Sequence, residues 1–235
     1  MKLSQQHPVR AVNTPAAAGA VGLAAAACLL ACSGSGTLGE QPTIRGQVVD
    51  PFSGAWIYGS GFSMNLELED QASARAVLAT APIDDQGNFM ITLPPLSKVE
   101  AYLQERSVTP YAAAASCTNT ITVSTLPAKS SVARFVATKG SVGYAIMPVM
   151  LDRSAAERAT RVTYYHHVYS DRDFAVEGNI RCPNGSGPSH ITAKESYKSG
   201  WNVFADTYAS LDTLHPTRTT ANFPVPDGVK WYPIK

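Results

Sequence analysis

Histidine is the residue type in this 235-residue chain that most directly suggests chemistry. His166 and His167 are adjacent, and His190 and His215 follow them. Imidazole nitrogens bind zinc and copper, so four histidines could form the metal site of an enzyme. Adjacent side chains on a β-strand point to opposite faces, so His166 and His167 cannot both ligate one ion, and neither H-x-H nor H-E-x-x-H occurs. We therefore predict ordinary sheet positions for these histidines and no metal or other cofactor.

Short acidic clusters offer a second kind of chemistry. Asp84-Asp85 and Asp171-Arg172-Asp173 each supply two carboxylates, whereas calcium takes six or more oxygen ligands, so both clusters are predicted to be turns. The G-x-S-x-G motif that presents a nucleophilic serine is absent from the sequence. These observations predict a protein that is not an enzyme.

Aromatic residues are candidates for binding a ligand. Trp56 and Tyr58 flank Ile57 close to a predicted turn at Gly54. Their rings could stack on a sugar or anchor a protein interface, and the alternative is packing in the core or at a sheet edge. We take Trp56 and Tyr58 as possible ligand-binding aromatics.

The N-terminal residues have the pattern of an export signal. Lys2 and Arg10 precede an uncharged stretch, within which Ala16 to Ala31 contains only Ala, Gly, Leu, Val and one Cys. A membrane-spanning helix needs about 20 strongly apolar residues, so this shorter, alanine-rich run predicts a signal peptide over residues 1–31. An uncleaved membrane anchor and a plain secretory signal are the alternatives.

The end of this signal, Leu29-Leu30-Ala31-Cys32, resembles the lipobox of bacterial lipoproteins, and Cys28 is a weaker second candidate. The resemblance implies that Cys32 becomes multiply acylated and anchors the protein in a membrane. Because Ser33 is not Asp, it also implies export to the outer membrane or cell surface. Residues 32–42, rich in Ser and Gly, are predicted to be a flexible tether.

Cys117 and Cys182 are the cysteines that remain after residue 32. An even pair in an oxidising compartment predicts a Cys117–Cys182 disulfide, with two buried free thiols as the alternative.

Charge excludes one class of partner. Removing Lys2 and Arg10 from the 19 basic residues leaves 17 against 18 acidic ones, a formal net charge of −1. Nucleic-acid binding needs a basic face, because phosphate contacts supply much of the affinity. We predict no nucleic-acid partner.

Apolar residues recur at every second position after Thr43, a period that indicates half-buried antiparallel strands. Only residues 96–106 are predicted to be helical. The runs that carry the alternation are Phe62-Met64-Leu66-Leu68, Phe89-Ile91-Leu93, Phe174-Val176-Gly178-Ile180, and Trp201-Val203-Ala205 opposite Asn202-Phe204-Asp206. This pattern predicts an all-β antiparallel sandwich of immunoglobulin-like architecture over residues 43–235, with a possible subdivision near residue 127.

Two short motifs resemble the carboxypeptidase-regulatory-type domain. Gly46, Val48 and Asp50 match its G-x-V-x-D turn, and Asp84-x-x-Gly87-x-Phe89 matches its D-x-x-G-x-F turn. The resemblance implies a transthyretin-like sandwich with an accessory or binding role and no catalytic residues. The chain departs from the family between these motifs, where residues 62–69 replace the usual P-V-x-G-A pattern.

The second half contains the segments CTNTITVS at residues 117–124, VYSDRD at 168–173 and KSGWN at 198–202, and Gly178. In these segments it is similar to bacterial envelope lipoproteins of unknown function. Together these features predict a lipid-anchored cell-envelope protein with a non-enzymatic binding or structural role. Its expected partners are the membrane, through the lipid anchor, and other envelope proteins or surface polysaccharide. The alternatives are a carbohydrate-binding module and a histidine-dependent metalloenzyme.

Overall fold

A computed structural model of the chain describes residues 41–105, 117–153, 159–181, 190–209, 217–221 and 225–234. Within these ranges the chain forms one short α-helix, one 3₁₀ turn and sixteen strands. In chain order they are β1 Thr43–Gln47, β2 Ser63–Glu69, β3 Arg75–Pro82, β4 Asn88–Thr92, α1 Leu96–Val99, the 3₁₀ turn Glu100–Tyr102, β5 Gln104–Glu105, β6 Thr118–Asn119, β7 Thr122–Val123, β8 Lys129–Val132, β9 Arg134–Lys139, β10 Val142–Arg153, β11 Ala159–Ser170, β12 Phe174–Arg181, β13 His190–Tyr197, β14 Gly200–Ala209, β15 Thr217–Ala221 and β16 Lys230–Ile234.

Side-chain alternation explains why these segments form strands. On β2, Met64, Leu66 and Leu68 are at most 1% exposed, whereas the residues between them are half-buried. Because successive side chains point to opposite faces, this pattern buries one face of a sheet and leaves the other near solvent. The predicted all-β sandwich is confirmed.

The strands form two hydrogen-bonded sheets. β1 and β4 make a two-stranded antiparallel sheet, and the larger sheet runs in the order β3-β2-β9-β10-β11-β14-β15-β13-β12-β6. β13 and β15 pair in parallel, and the other strand pairs are antiparallel. β9 pairs with residues 142–146 of β10, and β16 pairs with residues 145–149. Because both strands pair with residues 145 and 146, they lie on opposite edges of β10.

Two principal hydrophobic cores lie between these layers. The first core lies between the β1–β4 sheet and strands β2, β9 and β10, and includes Ile44, Leu66, Phe135 and Trp231. The second core joins β11 and β14 to β12 and β13, and includes Val168, Phe174 and Tyr197. By its internal contacts, Glu40–Lys235 is one compact unit.

Strand β14 differs from the prediction because both of its faces are buried over residues 202–206. Val203 and Ala205 face one side as predicted, but Asn202, Phe204 and Asp206 on the other face are each at most 7% exposed. The larger sheet brings β12 and β13 over this second face. Successive side chains of β14 therefore point alternately into two different cores, and neither face is exposed to solvent.

The predicted helix over residues 96–106 is wrong in its extent. Helix α1 ends at Val99, the 3₁₀ turn follows, and Leu103 is already extended. Pro95 precedes α1 without a side-chain cap, and β5 pairs with β8 immediately after Leu103. The pairing of β5 with β8 is incompatible with a longer helix, since a paired strand needs extended backbone.

Candidate functional site

The six residues of the two turn motifs have structural roles. Gly46 lies so close to the Trp231 ring that a Cβ there would be 2.3 Å from Trp231 Nε1. Gly87 has a positive φ of 85°, and a Cβ there would lie 2.4 Å from the carbonyl oxygen of Val48. Such positions accept glycine because it has no side chain and tolerates positive φ. The motifs therefore encode a close approach of turn and strand, not a catalytic group.

The second motif carries the carboxylate of Asp84. Its Oδ1 accepts hydrogen bonds from the backbone N–H groups of Gln86 and Asn88, at 2.9 and 2.8 Å. The Asn88 side chain also donates to this carboxylate and lowers the pKa of Asp84, with the backbone donors adding to the effect. The predicted turn is confirmed, and the carboxylate is fully engaged in it.

Asp50, the last motif residue, organises the loop that follows β1. Its Oδ1 accepts hydrogen bonds from Phe52 N at 3.0 Å and Ser53 N at 2.8 Å. The Asp50 backbone N–H donates to Ala55 O at 2.8 Å, and Gly54 N–H donates to Asp50 O at 2.9 Å. These four bonds hold residues 50–55 in one conformation.

The rest of this loop is held by an aromatic cluster, which we define as Trp56, Tyr58, Phe62 and Tyr144. Ring centroids lie 4.9 Å apart for Trp56 and Tyr58, 5.4 Å for Trp56 and Phe62, and 4.8 Å for Tyr58 and Tyr144. The indole N–H of Trp56 donates to Gly59 O at 2.8 Å. The two aromatic residues predicted from the sequence are thus brought together, half-buried and packed on each other and on the first core.

Two further contacts hold the loop against the hairpin between β9 and β10. Lys139 Nζ donates to Ser60 O at 2.7 Å and lies 5.8 Å from the Phe62 ring centroid. Burial raises the pKa of Tyr58, and the nearby Asp50 and Tyr144 raise it further, so its hydroxyl stays neutral. We call residues 50–61 the aromatic loop.

Sequence reasoning missed the residues that the aromatic loop exposes. Phe52 is 96% exposed and Ile57 is 59% exposed. Large apolar side chains exposed on a backbone held by hydrogen bonds form a surface suited to binding. The available signal was an aromatic residue at the centre of the turn Asp50-Pro51-Phe52-Ser53-Gly54.

The adjacent histidines point into different cores, as the strand geometry predicted. His167 is 1% exposed, with its ring 5.3 Å from Phe135 and 5.8 Å from Trp231. Burial, with a smaller contribution from His166, lowers the pKa of His167 to about 3. His166 stacks on Phe204 at 4.5 Å, and its Nε2 lies 3.5 Å from Asp206 Oδ2. These two rings therefore belong to separate environments and do not converge on one ion.

His190 and His215 are the two other histidines considered above. His215 and the side chain of His190 lie outside the described residues. Among the residues that are described, no three His, Cys, Asp or Glu side chains are grouped to hold a metal ion.

The acidic cluster at residues 171–173 forms a predicted turn. Asp171 Oδ1 accepts from Lys129 N at 2.8 Å. Asp173 accepts from Lys198 Nζ and from Ser199 N, both at 2.8 Å, and the hydrogen bond from Lys198 lowers the pKa of Asp173. Both carboxylates fasten the turn between β11 and β12 to neighbouring segments.

The cysteine predictions fall partly outside the described residues. Cys117 packs beside the second core and is disulfide-bonded, and the cysteine that it bonds is not among the described residues. The Cys117–Cys182 disulfide stays a prediction, as does lipidation of Cys32, because Cys182 and Cys32 lie outside the described ranges.

Comparisons with protein-family models, curated proteins and solved structures find no match to this chain. The resemblances to carboxypeptidase-regulatory-type domains and to envelope lipoproteins therefore remain predictions. In the part of the chain that the structure describes, no helix has the length and apolar character to cross a membrane.

Proposed function

We propose that this protein is a lipid-anchored, non-enzymatic binding module of a bacterial cell envelope, whose aromatic loop docks on another envelope protein. The observation that carries the proposal is the 96% exposure of Phe52 on a turn held by Asp50. A few anchor residues supply most of the free energy of binding at protein interfaces. An exposed ring on a fixed backbone suits that role, because little conformational entropy remains to be lost on binding.

Docking on a protein is favoured over binding of polysaccharide by the arrangement of the rings. Stacking on a sugar needs an accessible ring face together with free polar groups beside it. The rings of Trp56 and Tyr58 pack against each other, and the indole N–H of Trp56 is bonded to Gly59 O. The carboxylate beside them, Asp50, already accepts two backbone hydrogen bonds. The exposed side chains, Phe52 and Ile57, are apolar and match an apolar pocket on a protein.

Photo-cross-linking at position 52 tests the docking surface directly. We expect Phe52→benzoylphenylalanine, expressed in intact cells, to form an ultraviolet-dependent adduct with one envelope protein. The matched control is the same analogue at Val132, another exposed apolar residue, which lies on β8. Once that partner is purified, Phe52→Ala should weaken its binding about 30-fold, the effect of losing an anchor worth about 2 kcal/mol.

Two outcomes would contradict docking by the aromatic loop. Equal adducts from positions 52 and 132 would show that the loop has no special partner. Binding to arrayed surface glycans that is lost in Trp56→Ala but kept in Phe52→Ala would assign the loop to polysaccharide.

Lipid anchoring has its own test. We expect Cys32→Ala to move the protein from the membrane fraction to the soluble fraction, because the acyl chains on this cysteine would supply the anchor. Cell fractionation followed by immunoblotting measures the distribution, and Cys28→Ala is the matched control that should stay in the membrane fraction. Membrane association of Cys32→Ala at the unaltered level would refute the anchor.

A further inference from the structure

Strands β3 and β4 begin as a hairpin and then separate into different sheets. The turn at Asp84–Gly87 joins them, and a single bridge pairs Ile83 with Phe89. Beyond this bridge, β3 pairs with β2 and β4 pairs with β1. In the described part of the chain, no strand pairs with the edge of β3 that faces away from β2.

A groove runs along this edge. A cleft of about 390 Å³ is lined by the consecutive residues 78–82 of β3 and by Met90, Thr92 and Lys98 on the opposite side. A second cleft of about 680 Å³ shares Pro82 and Met90 with the first and is also lined by Arg45. We call the two clefts together the β3–β4 groove. The five consecutive residues of β3 that line the groove span roughly 17 Å, which is the length of a five-residue peptide in extended conformation.

The edge of β3 carries few of the features that usually protect such an edge. Residues 76–81 read Ala-Val-Leu-Ala-Thr-Ala, without charge or proline, and Val77 is 52% exposed. Proteins normally protect exposed edges with lysine, proline or short strands, because free N–H and C=O groups accept any added strand. Charge and proline are confined to the ends of β3, where Arg75 is paired with Glu69 and Pro82 ends the strand.

The charged side chains that line the groove give it a net positive charge. Arg45 lies directly across from the exposed Met90 in the β1–β4 register, and Lys98 lines the far end of the groove. Asp84 is the carboxylate in the lining, and hydrogen bonds from its own turn orient it but leave its negative charge in place. The lining therefore carries two cations against one anion. A ligand with carboxylates near both ends would complement Arg45 and Lys98.

We propose that the β3–β4 groove binds an extended, acidic peptide segment of a partner protein, which adds to β3 as an antiparallel or parallel strand. Backbone hydrogen bonds to β3 hold the segment, and its acidic residues contact Arg45 and Lys98. Added strands bind in this way when main-chain pairing supplies affinity and flanking side chains supply specificity. This site is separate from the aromatic loop and does not depend on docking there.

A second copy of this chain is the competing occupant, and charge disfavours it. Pairing of β3 with β3 from another copy would bring two further cations, the other Arg45 and Lys98, toward the same edge. Like charges across an interface oppose association, whereas an acidic peptide neutralises both cations.

Synthetic peptides test the proposal with the full chain purified in detergent. The probe is the fluorescently labelled hexapeptide DVTVTE, and the controls are KVTVTK and a DVTVTE analogue with alternate backbone nitrogens methylated. We expect fluorescence polarisation to show binding of DVTVTE and at least tenfold weaker binding of each control. The double variant Arg45→Glu, Lys98→Glu should weaken DVTVTE about tenfold and strengthen KVTVTK, because two exposed charge contacts are reversed. Amide hydrogen exchange in residues 76–81 should slow when DVTVTE is bound.

Four results would overturn the proposal. One is a failure of DVTVTE to bind at any concentration tested. Another is binding of DVTVTE no tighter than that of KVTVTK, which would remove the role of Arg45 and Lys98. Equal binding of the methylated peptide would show that no strand is added. Dimers seen in sedimentation that exclude DVTVTE would assign the edge to a second copy.

Discussion

Replacing Trp231 with alanine should lower the free energy of unfolding by about 3–5 kcal/mol, the usual cost of deleting a large aromatic side chain from a core. The Trp231 side chain is fully buried. Its ring meets Phe89 and Phe135 edge-on, at 5.0 and 4.9 Å, and stacks on His167. Urea denaturation followed by circular dichroism measures the change.

The expected loss is large because Trp231 lies where β16 meets the segment after β1. Its backbone bridges to Val48, and its carbonyl accepts the N–H of Val49, which connects β16 to the segment after β1. Its ring fills the space that Gly46 leaves open. Neighbouring backbone could close the resulting cavity only by moving β1 and β16 together, so little of the lost contact is recovered.

Tyr232→Ala is the matched control, since Tyr232 is the next residue on β16 and is half-buried. We expect it to cost about 1 kcal/mol, in keeping with a partly exposed side chain. If the two substitutions had equal effects, β16 would contribute through its backbone pairing with β10 alone.

Local patterns in the sequence predicted the local parts of this fold. The alternation of β2 was sufficient to identify Met64, Leu66 and Leu68 as buried, because a period of two has one physical interpretation in an extended chain. The turn around Asp84 was equally clear, since an aspartate followed by glycine at this spacing favours that backbone shape.

Features that depend on distant pairing could not be obtained in this way. Trp231 pairs with Val48 across more than 180 positions, and no short-range pattern sets that register. Burial of Asn202 and Phe204 on the same face of β14 follows from the path of β12 and β13 over it. Alternation of apolar and polar residues shows that the two faces of a strand differ in polarity, but it does not show whether one face or both are buried.

The candidate site was predicted in the same partial manner. Trp56 and Tyr58 were identified from residue type and proximity to a turn, and they lie in the loop that the structure singles out. The exposed ring, however, is that of Phe52, because the rings of Trp56 and Tyr58 pack against each other and against the first core. Composition shows which residues are able to bind, whereas local packing decides which of them remain available.

Acidification should destabilise this protein through His167, by about 2.5 kcal/mol between pH 7.5 and pH 4.5. Burial lowers the pKa of His167 from 6.5 to about 3 in the folded chain. Between these two values the unfolded chain binds a proton that the folded chain does not, so the free energy of unfolding falls as the pH falls. The slope approaches about 1.4 kcal/mol per pH unit, and it ends near pH 3, where the folded chain is protonated too. Urea denaturation at intervals of half a pH unit measures it.

The variant His167→Phe separates this effect from every other titration. An aromatic ring at this position keeps the contacts with Phe135 and Trp231 but carries no titrating nitrogen. Asp84 and Asp173 do not interfere in this window, because their lowered pKa values affect stability below about pH 4, near and under the ordinary aspartate value of 3.8. The unfolding free energy of the variant, subtracted from that of the native chain, should therefore isolate His167 between pH 7.5 and 4.5. A difference that does not change with pH would mean that His167 is protonated inside the folded chain, which would contradict its burial as a neutral ring between Phe135 and Trp231.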